Sequence, residues 1–316
     1  ERKGEDRPQM RQIQFTVDED FNNTRLDQYL ADHMDFSRSY IQKLIKNKHI
    51  LINDAPMIKP KYPVLSGMSI IVNIPDPETI EILPEKMDLD ILYEDEDLLI
   101  VNKPKGMVVH PAPGHSQHTL VNGILYHCKG SLSGINGALR PGIVHRIDKD
   151  TTGSLVVCKN DSAHQCLAKQ LSEHSIKRIY NAITYHNFTQ DNGTIDANIG
   201  RHPIDRKRMA VVTNGGRRAI THYHVLDHLN NKFNWIECQL ETGRTHQIRV
   251  HMAHIKHPIL GDEVYGPKSN GRFSSLQGQT LHAKTIGFIH PRTNQYIEVE
   301  APLPPYFVSL INELKS

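Results

Sequence analysis

A chain of 316 residues with 38% hydrophobic and 23% charged side chains can bury the cores of two domains, which excludes wholesale disorder. Its 37 basic and 35 acidic residues leave a net charge of +2, so a polyanion would be met by local basic patches and not by a bulk field. The four cysteines form no CxxC pair, no apolar run approaches the roughly 18 residues of a membrane span, and no signal-peptide core opens the chain; a reducing cytoplasm is the expected compartment.

Residues 1–13 are polar and predict a flexible tail. Residues 14–75 predict a small αβ unit. RLDQYLADH has helical spacing in Leu26, Tyr29 and Leu30. Ser37 is the expected N-cap of a second helix whose apolar stripe is Ile41, Leu44 and Ile45. HILINDAPM predicts a strand and an Asn53-Asp54 turn, and MSIIVNI another strand. Between 38 and 61 the charges are Arg38, Lys43, Lys46, Lys48, Lys59 and Lys61 against Asp54 alone, which suits either a phosphate-binding face or a solvated helix. Residues 76–88 are rich in proline and acid and predict a linker.

A larger domain is expected over 89–316. LYEDEDLLIVNKPKGMVVHP predicts two strands and a turn at Lys103-Pro104-Lys105-Gly106 that exposes both lysines. Asp161 is the expected cap of a helix running to His174. IYNAITY, RRAITHYHVL and FNWIECQL alternate as strands do, and near Gly243 the period becomes helical through Ile248, Met252 and Ile255. Strands outnumber helices without regular βα repetition, so the expected class is α+β with a mixed, largely antiparallel sheet.

GIVHRIDKDTTGSLVV, residues 142–157, packs charges against an apolar run. One reading is a plain turn, Asp and Thr bonding their own backbone. A second is a haloacid-dehalogenase-type phosphohydrolase with Asp148 and Asp150 as its carboxylate pair, although that motif should end the first strand of a parallel sheet. A third takes Asp148 alone as the catalytic carboxylate, kept ionised by a nearby cation. Arg146 is two residues away, and Arg244, in LETGRTHQIR, stands at a strand-to-helix corner. Arg201, Arg206, Lys207, Arg208, Arg217 and Arg218 suit either an RNA groove or a solvated hairpin. His251, His254 and His257, or His222 and His224, have spacings that could ligate zinc, but no cysteine is spaced with them and no metal is expected.

In this order, LYEDEDLLIVNKPKGMVVHP, GIVHRIDKDTTGSLVVCKN, IKRIYNAI, LETGRTHQIRVHMAHIKHPILGDEVYG and LHAKTIGFIHP resemble the catalytic domain of the RluA-type pseudouridine synthases. RLDQYL and SRSYIQKLIKNKHILIN resemble the S4 RNA-binding domain. Ile147 and Thr152 depart from the more usual Leu and Ser. The resemblance implies an RNA isomerase without cofactor. It casts Asp148 as nucleophile, Arg146 as the residue that evicts the target uridine, Tyr180 as the ring against the flipped base, Arg244 as the salt-bridge partner of Asp148, and Leu281 as a pocket wall. Arg178, two residues from Tyr180 on one strand face, would meet a phosphate, as would Arg206, Lys207 and Arg208 and, in the S4 unit, Arg38, Lys43 and Lys46. The implied partner is RNA, 23S large-subunit rRNA before transfer RNA, and the expected state a monomer. The rival reading is an RNA-binding ribosome-assembly factor without chemistry.

Overall fold

The computed structural model describes residues 11–34, 36, 38–74, 82–111, 117–129, 131–137, 140–205, 208–268 and 271–315. Ser37, Arg206 and Lys207, singled out above, lie outside the described residues, as do residues 1–10. Two compact units follow one another, Glu1–Ile80 and Glu81–Ser316.

The first unit runs β1 (Arg11–Thr16), β2 (Thr24–Arg25), α1 (Leu26–His33), α2 (Arg38–Lys46), β3 (Ile50–Ile52), β4 (Ala55–Pro56), β5 (Pro63–Val64) and β6 (Ser69–Ile74). Its antiparallel sheet has the order β1-β6-β3-β4. The strand start at Arg11 corrects the tail reading of residues 11–13, because β1 pairs with β6 over its whole length. Ile41, Leu44 and Ile45 of α2 are buried with Leu26, Tyr29 and Leu30 of α1 over Ile50, Ile70 and Val72 of the sheet. Asn53 and Asp54 both take positive φ, 48° and 66°, as a two-residue hairpin turn requires.

The second unit runs β7 (Ile91–Glu94), β8 (Leu98–Lys103), α3 (Leu120–Cys128), β9 (Thr152–Cys158), α4 (Asp161–Ser172), β10 (Lys177–Tyr185), β11 (Asn192–Asp196), β12 (Ile199–Arg201), β13 (Met209–Val211), β14 (Ile220–Leu229), β15 (Phe233–Leu240), α5 (Gln247–His254), β16 (Leu281–Ile289), β17 (Tyr296–Glu300) and α6 (Pro305–Lys315). Its main sheet has the order β11-β14-β15-β10-β16-β9-β8-β7, with β17 on β16. Its pairs are antiparallel apart from β9 with β16, so the class is α+β with a mixed sheet. β8 and β9 are almost continuously apolar because both faces are covered. Leu99, Val101, Leu155 and Val157 pack with Leu120, Val121 and Ile124 of α3. The alternate residues Leu98, Ile100, Val156 and Cys158 pack with Ala163 and Leu167 of α4.

Three local expectations are corrected. Residues 82–88, expected as linker, are strapped to α3: Asn122 donates to the Leu83 carbonyl at 2.9 Å, and the Glu85 N–H donates to the Asn122 carbonyl at 2.9 Å. The cap of α4 is Asn160, whose Oδ1 accepts from the Ala163 N–H at 2.9 Å; Asp161 is the first helical residue. The lysines of residues 103–106 point inward, as described below. No helix among the described residues is long and apolar enough to cross a membrane.

Candidate active site

Asp148 stands in the loop entering β9. Its carbonyl accepts from the Thr151 N–H at 3.1 Å, closing a turn. From below, the turn is held by Lys103, which is fully buried and not exposed as the KPKG pattern suggested. Its ammonium donates to the carbonyls of Pro104 (2.9 Å), Met107 (2.9 Å) and Lys149 (2.8 Å), so one side chain ties the 103–107 loop to the Asp148 turn. Burial pulls Lys103 down to about 7, against the charges of Asp150 and Asp148. Lys105 is likewise turned inward, donating to the Gly278 carbonyl at 3.1 Å with its Nζ 4.5 Å above the Tyr306 ring.

Behind the turn, His145 Nε2 accepts from the Val156 N–H at 3.0 Å, and burial takes this imidazole down to about 3, so it stays neutral as an acceptor must. Gly153 has φ 109°, and a Cβ there would lie 2.3 Å from the Ala283 carbonyl oxygen. This close approach lets β9 run parallel to β16 and brings Leu281 beside Asp148.

The facing wall is the turn after β15. Gln247 pins it: its Oε1 accepts from Thr242 Oγ1 (2.8 Å) and the Arg244 N–H (2.9 Å), and its amide nitrogen donates to the Ile220 carbonyl (2.9 Å) and Thr221 Oγ1 (3.0 Å). From the buried face of α5, Arg249 reaches the loop. Its Nη1 donates to Asp148 Oδ2 at 2.8 Å, and its Nε and Nη2 donate to Asp262 Oδ2 and Oδ1 at 2.6 and 3.0 Å. Burial opposes the charge on this guanidinium, but the hydrogen bonds and charges of Asp262 and Asp148 outweigh it and hold the group above its ordinary value. Arg249 therefore replaces Arg244 as the salt-bridge partner of Asp148. Arg244 precedes the helix, lines the pocket, and donates through Nε to the Arg218 carbonyl at 3.0 Å.

Between these walls lies a solvent-connected pocket of about 360 Å³ bordered by Asp148, Tyr180, Leu240, Arg244, His246 and Leu281. Asp148 is 21% exposed; its Oδ1 is 3.8 Å from His246 Nε2 and has no closer partner among the described residues. The buried Tyr180 forms one side, its phenol raised by burial and, more weakly, by Asp148, with Arg178 opposing. Arg146 is exposed beside the pocket, 3.4 Å from His110 Nε2.

Arg178 does not meet solvent. It is buried beneath the turn after β15, donates to the Glu241 carbonyl at 3.0 Å, and sits where a Cβ on Gly243 would be 2.5 Å from its Nη1. The strand face shared with Tyr180 points it inward, so a phosphate contact is excluded. Arg208 packs its guanidinium 5.3 Å from the Tyr265 ring centroid. In the first unit Arg38 is tied to Asp27 at 3.1 Å, while Lys43 and Lys46 are exposed, without an ion pair among the described residues. The phosphohydrolase reading is overturned, because Asp148 and Asp150 precede β9 instead of ending a strand, and the sheet is mainly antiparallel. Both ring nitrogens of His251 are engaged, by Thr221 Oγ1 (2.9 Å) and the Ala197 carbonyl (3.0 Å). Sequence reasoning missed Arg249, Asp262, His246 and the inward turn of Lys103.

An RNA pseudouridylate synthase family model matches residues 97–254, and an S4 domain model matches residues 24–70. The chain is 50% identical to the uncharacterized RNA pseudouridine synthase YlyB of Bacillus subtilis (strain 168), over 97% of this chain and 99% of that protein. It is 41% identical to the ribosomal large subunit pseudouridine synthase D of Escherichia coli (strain K12), over 96% and 95% respectively. Among solved structures, human RNA pseudouridylate synthase domain containing 1 is similar with a TM-score of 0.57 and 26% identity, over 74% of this chain and 89% of that one.

Proposed function

Because the chain belongs to the RNA pseudouridylate synthase family, we propose that Asp148 carries the isomerisation of a uridine to pseudouridine in large-subunit ribosomal RNA. The reaction breaks N1–C1′, turns the uracil, and joins C5 to C1′; N1 ends with a proton and C5 loses one. Nothing is oxidised and nothing is hydrolysed overall.

A uracil inside an RNA stack offers no reachable glycosidic bond, so it must swing out, at a cost of a few kcal/mol. Stacking on Tyr180 returns about 1–3 kcal/mol, typical of base–aromatic contacts. The exposed Arg146 occupies the gap left in the RNA, and Leu281 closes the pocket against the base. With Oδ2 of Asp148 held by Arg249, Oδ1 is the oxygen that faces the sugar. It either bonds C1′ or takes the 2′ proton as uracil leaves. The carrying observation is this carboxylate, hydrogen-bonded on one oxygen only among the described residues and turned into a pocket beside Tyr180. The reading of large-subunit rRNA is supported by relatives of that name, and it implies a cytoplasmic site of action, where ribosomes are made. Lys43 and Lys46 of the first unit supply phosphate contacts that add affinity.

The test is Asp148→Asn with pseudouridine mapping in cells lacking the native protein. Turnover is expected to disappear while RNA affinity stays within several-fold. Native levels of pseudouridine from the variant, or an unchanged rRNA map on removal of the protein, would overturn the reading of catalytic group or target respectively.

A further inference from the structure

His246 is a non-glycine residue at φ 56°, ψ 22°, immediately before α5 and inside the pocket. Left-handed backbone disfavours an ordinary side chain, and residues held there cluster at functional sites. The ring is fixed. Tyr265 Oη accepts from the Met209 N–H at 2.9 Å and lies 2.7 Å from His246 Nδ1. The Met209 N–H can only donate, so among the described residues Nδ1 is the one hydrogen-bonded group that can accept the hydroxyl hydrogen, and the tautomer is assigned on that ground. Nδ1 is then the acceptor, and the neutral ring carries its hydrogen on Nε2. Burial disfavours the imidazolium here, with Arg249 and Arg146 acting in the same direction and Asp148 and Asp262 against it. That Nε2–H is 3.8 Å from Asp148 Oδ1, beyond a hydrogen bond, so the donor is not spent on the carboxylate and the two atoms can face one bound nucleotide side by side.

We propose that His246 is a further catalytic residue, whose Nε2–H donates a hydrogen bond to the O2 carbonyl of the departing uracil. This rests on the reading of Asp148 given above. As N1–C1′ breaks, its electron pair stays on the ring, and the charge spreads over N1, O2 and O4. C1′ gains a bond to Asp148 Oδ1, or the C2′–H pair forms C1′=C2′ while its proton goes to that oxygen. C1′ in the first route, or its neighbour C2′ in the second, comes within about 3–3.5 Å of Oδ1. O2, attached to the carbon next to N1, is the uracil oxygen nearer C1′ and so the one this donor reaches. The proton stays on His246; its contribution is a donor already aimed at charge that develops as the bond breaks. Arg249 holds the carboxylate from the other oxygen, so the two groups serve different partners.

His246→Asn and His246→Gln separate this role from a structural one. Asn tolerates left-handed backbone and retains an oxygen where Nδ1 meets Tyr265, but has no atom at Nε2. Gln extends an amide donor toward the Nε2 position and loses the Tyr265 contact. Turnover is read as tritium release from large-subunit rRNA labelled with [5-³H]uridine in cells lacking the protein. The expected result is a fall in kcat of roughly 10²-fold for Asn with unchanged KM and RNA affinity, and substantial recovery of kcat for Gln. Native kcat in the Asn variant, or equal impairment of both variants, would overturn the proposal. Asp148→Asn run alongside keeps the two readings apart: an inactive Asp148 variant beside a fully active His246→Asn sinks only the role of His246.

Discussion

Two arginine-paired aspartates, one in each unit, are built to opposite ends. Asp27 is fully buried and accepts from Arg25 Nε and Nη2 (3.0 and 3.0 Å), Arg38 Nε (3.1 Å) and Gln42 Nε2 (2.8 Å). Burial would raise its carboxyl, but these donors outweigh burial and hold it well below the ordinary range. Asp148 has one arginine, on one oxygen. A carboxylate with its lone pairs occupied glues α1 to α2; one with an oxygen that no donor among the described residues approaches closely is left able to react. Asp262 belongs with Asp27: it takes two bonds from Arg249 and a third from the Val264 N–H at 3.1 Å, and in doing so aims the guanidinium at Asp148.

The comparison breaks hardest at Arg249. Arg249→Met leaves Asp262, only 1% exposed, without its cation, and removal of one partner from a buried pair costs about 3–5 kcal/mol. Thermal unfolding of the second unit should shift down accordingly, and turnover should vanish. Adding Asp262→Asn removes the stranded charge and keeps an acceptor for the Val264 N–H. The double variant should regain most of the stability and none of the activity, because Asp148 still lacks its partner. Regained turnover would show that Arg249 supports the fold alone.

A smaller effect is expected at Asp27. Asp27→Asn keeps the shape but weakens charge-assisted hydrogen bonds, which are worth about 1.5–3 kcal/mol. The sign of its pH dependence follows from the depressed carboxyl. The unfolded chain binds the proton first, so the contribution is fully present above about pH 4, the ordinary aspartate value, and declines as pH falls below it. Hydrogen exchange of α1 and α2 amides in the full chain should show this acid loss in the native protein and a flatter profile in the Asn variant. Equal profiles would mean that Asp27 is not the group that titrates.

How far the sequence was legible follows the range of each interaction. The stripe of α2, the Asn53-Asp54 turn and the apolar β8 and β9 are local patterns, and they appear as expected. α3 was missed because its box is Thr119 with Asn122, without the usual glutamate, and Gly123 interrupts the helix pattern. α6 was missed behind the prolines at 302, 304 and 305. Asp148, Tyr180 and Leu281, far apart in the chain, line one pocket. Arg249 carried a signal that was overlooked: it lies between Ile248 and Met252, and a charge on the buried face of a helix needs a partner. Lys103 carried none, because its acceptors are backbone carbonyls, two in its own loop and one, Lys149, brought to it only by the tertiary fold.

The smallest effect separates cations within a single helix. Arg38, Lys43 and Lys46 all lie on α2, and composition alone treats them as one basic face. Arg38 is engaged by Asp27, whereas the two lysines are exposed without an ion pair among the described residues. Each phosphate contact removed should lower the slope of log K against log salt by about 1. Lys43→Gln/Lys46→Gln should therefore reduce that slope by about 2, with kcat at saturating RNA unchanged. Arg38→Gln should leave the slope nearly intact and instead loosen α1 from α2, because it removes a donor from a buried carboxylate. Salt titrations of RNA binding for the two variants decide it: a larger slope change for Arg38→Gln would mean that its bond to Asp27 gives way when RNA is bound, and that the saturated carboxylate is not a purely structural one.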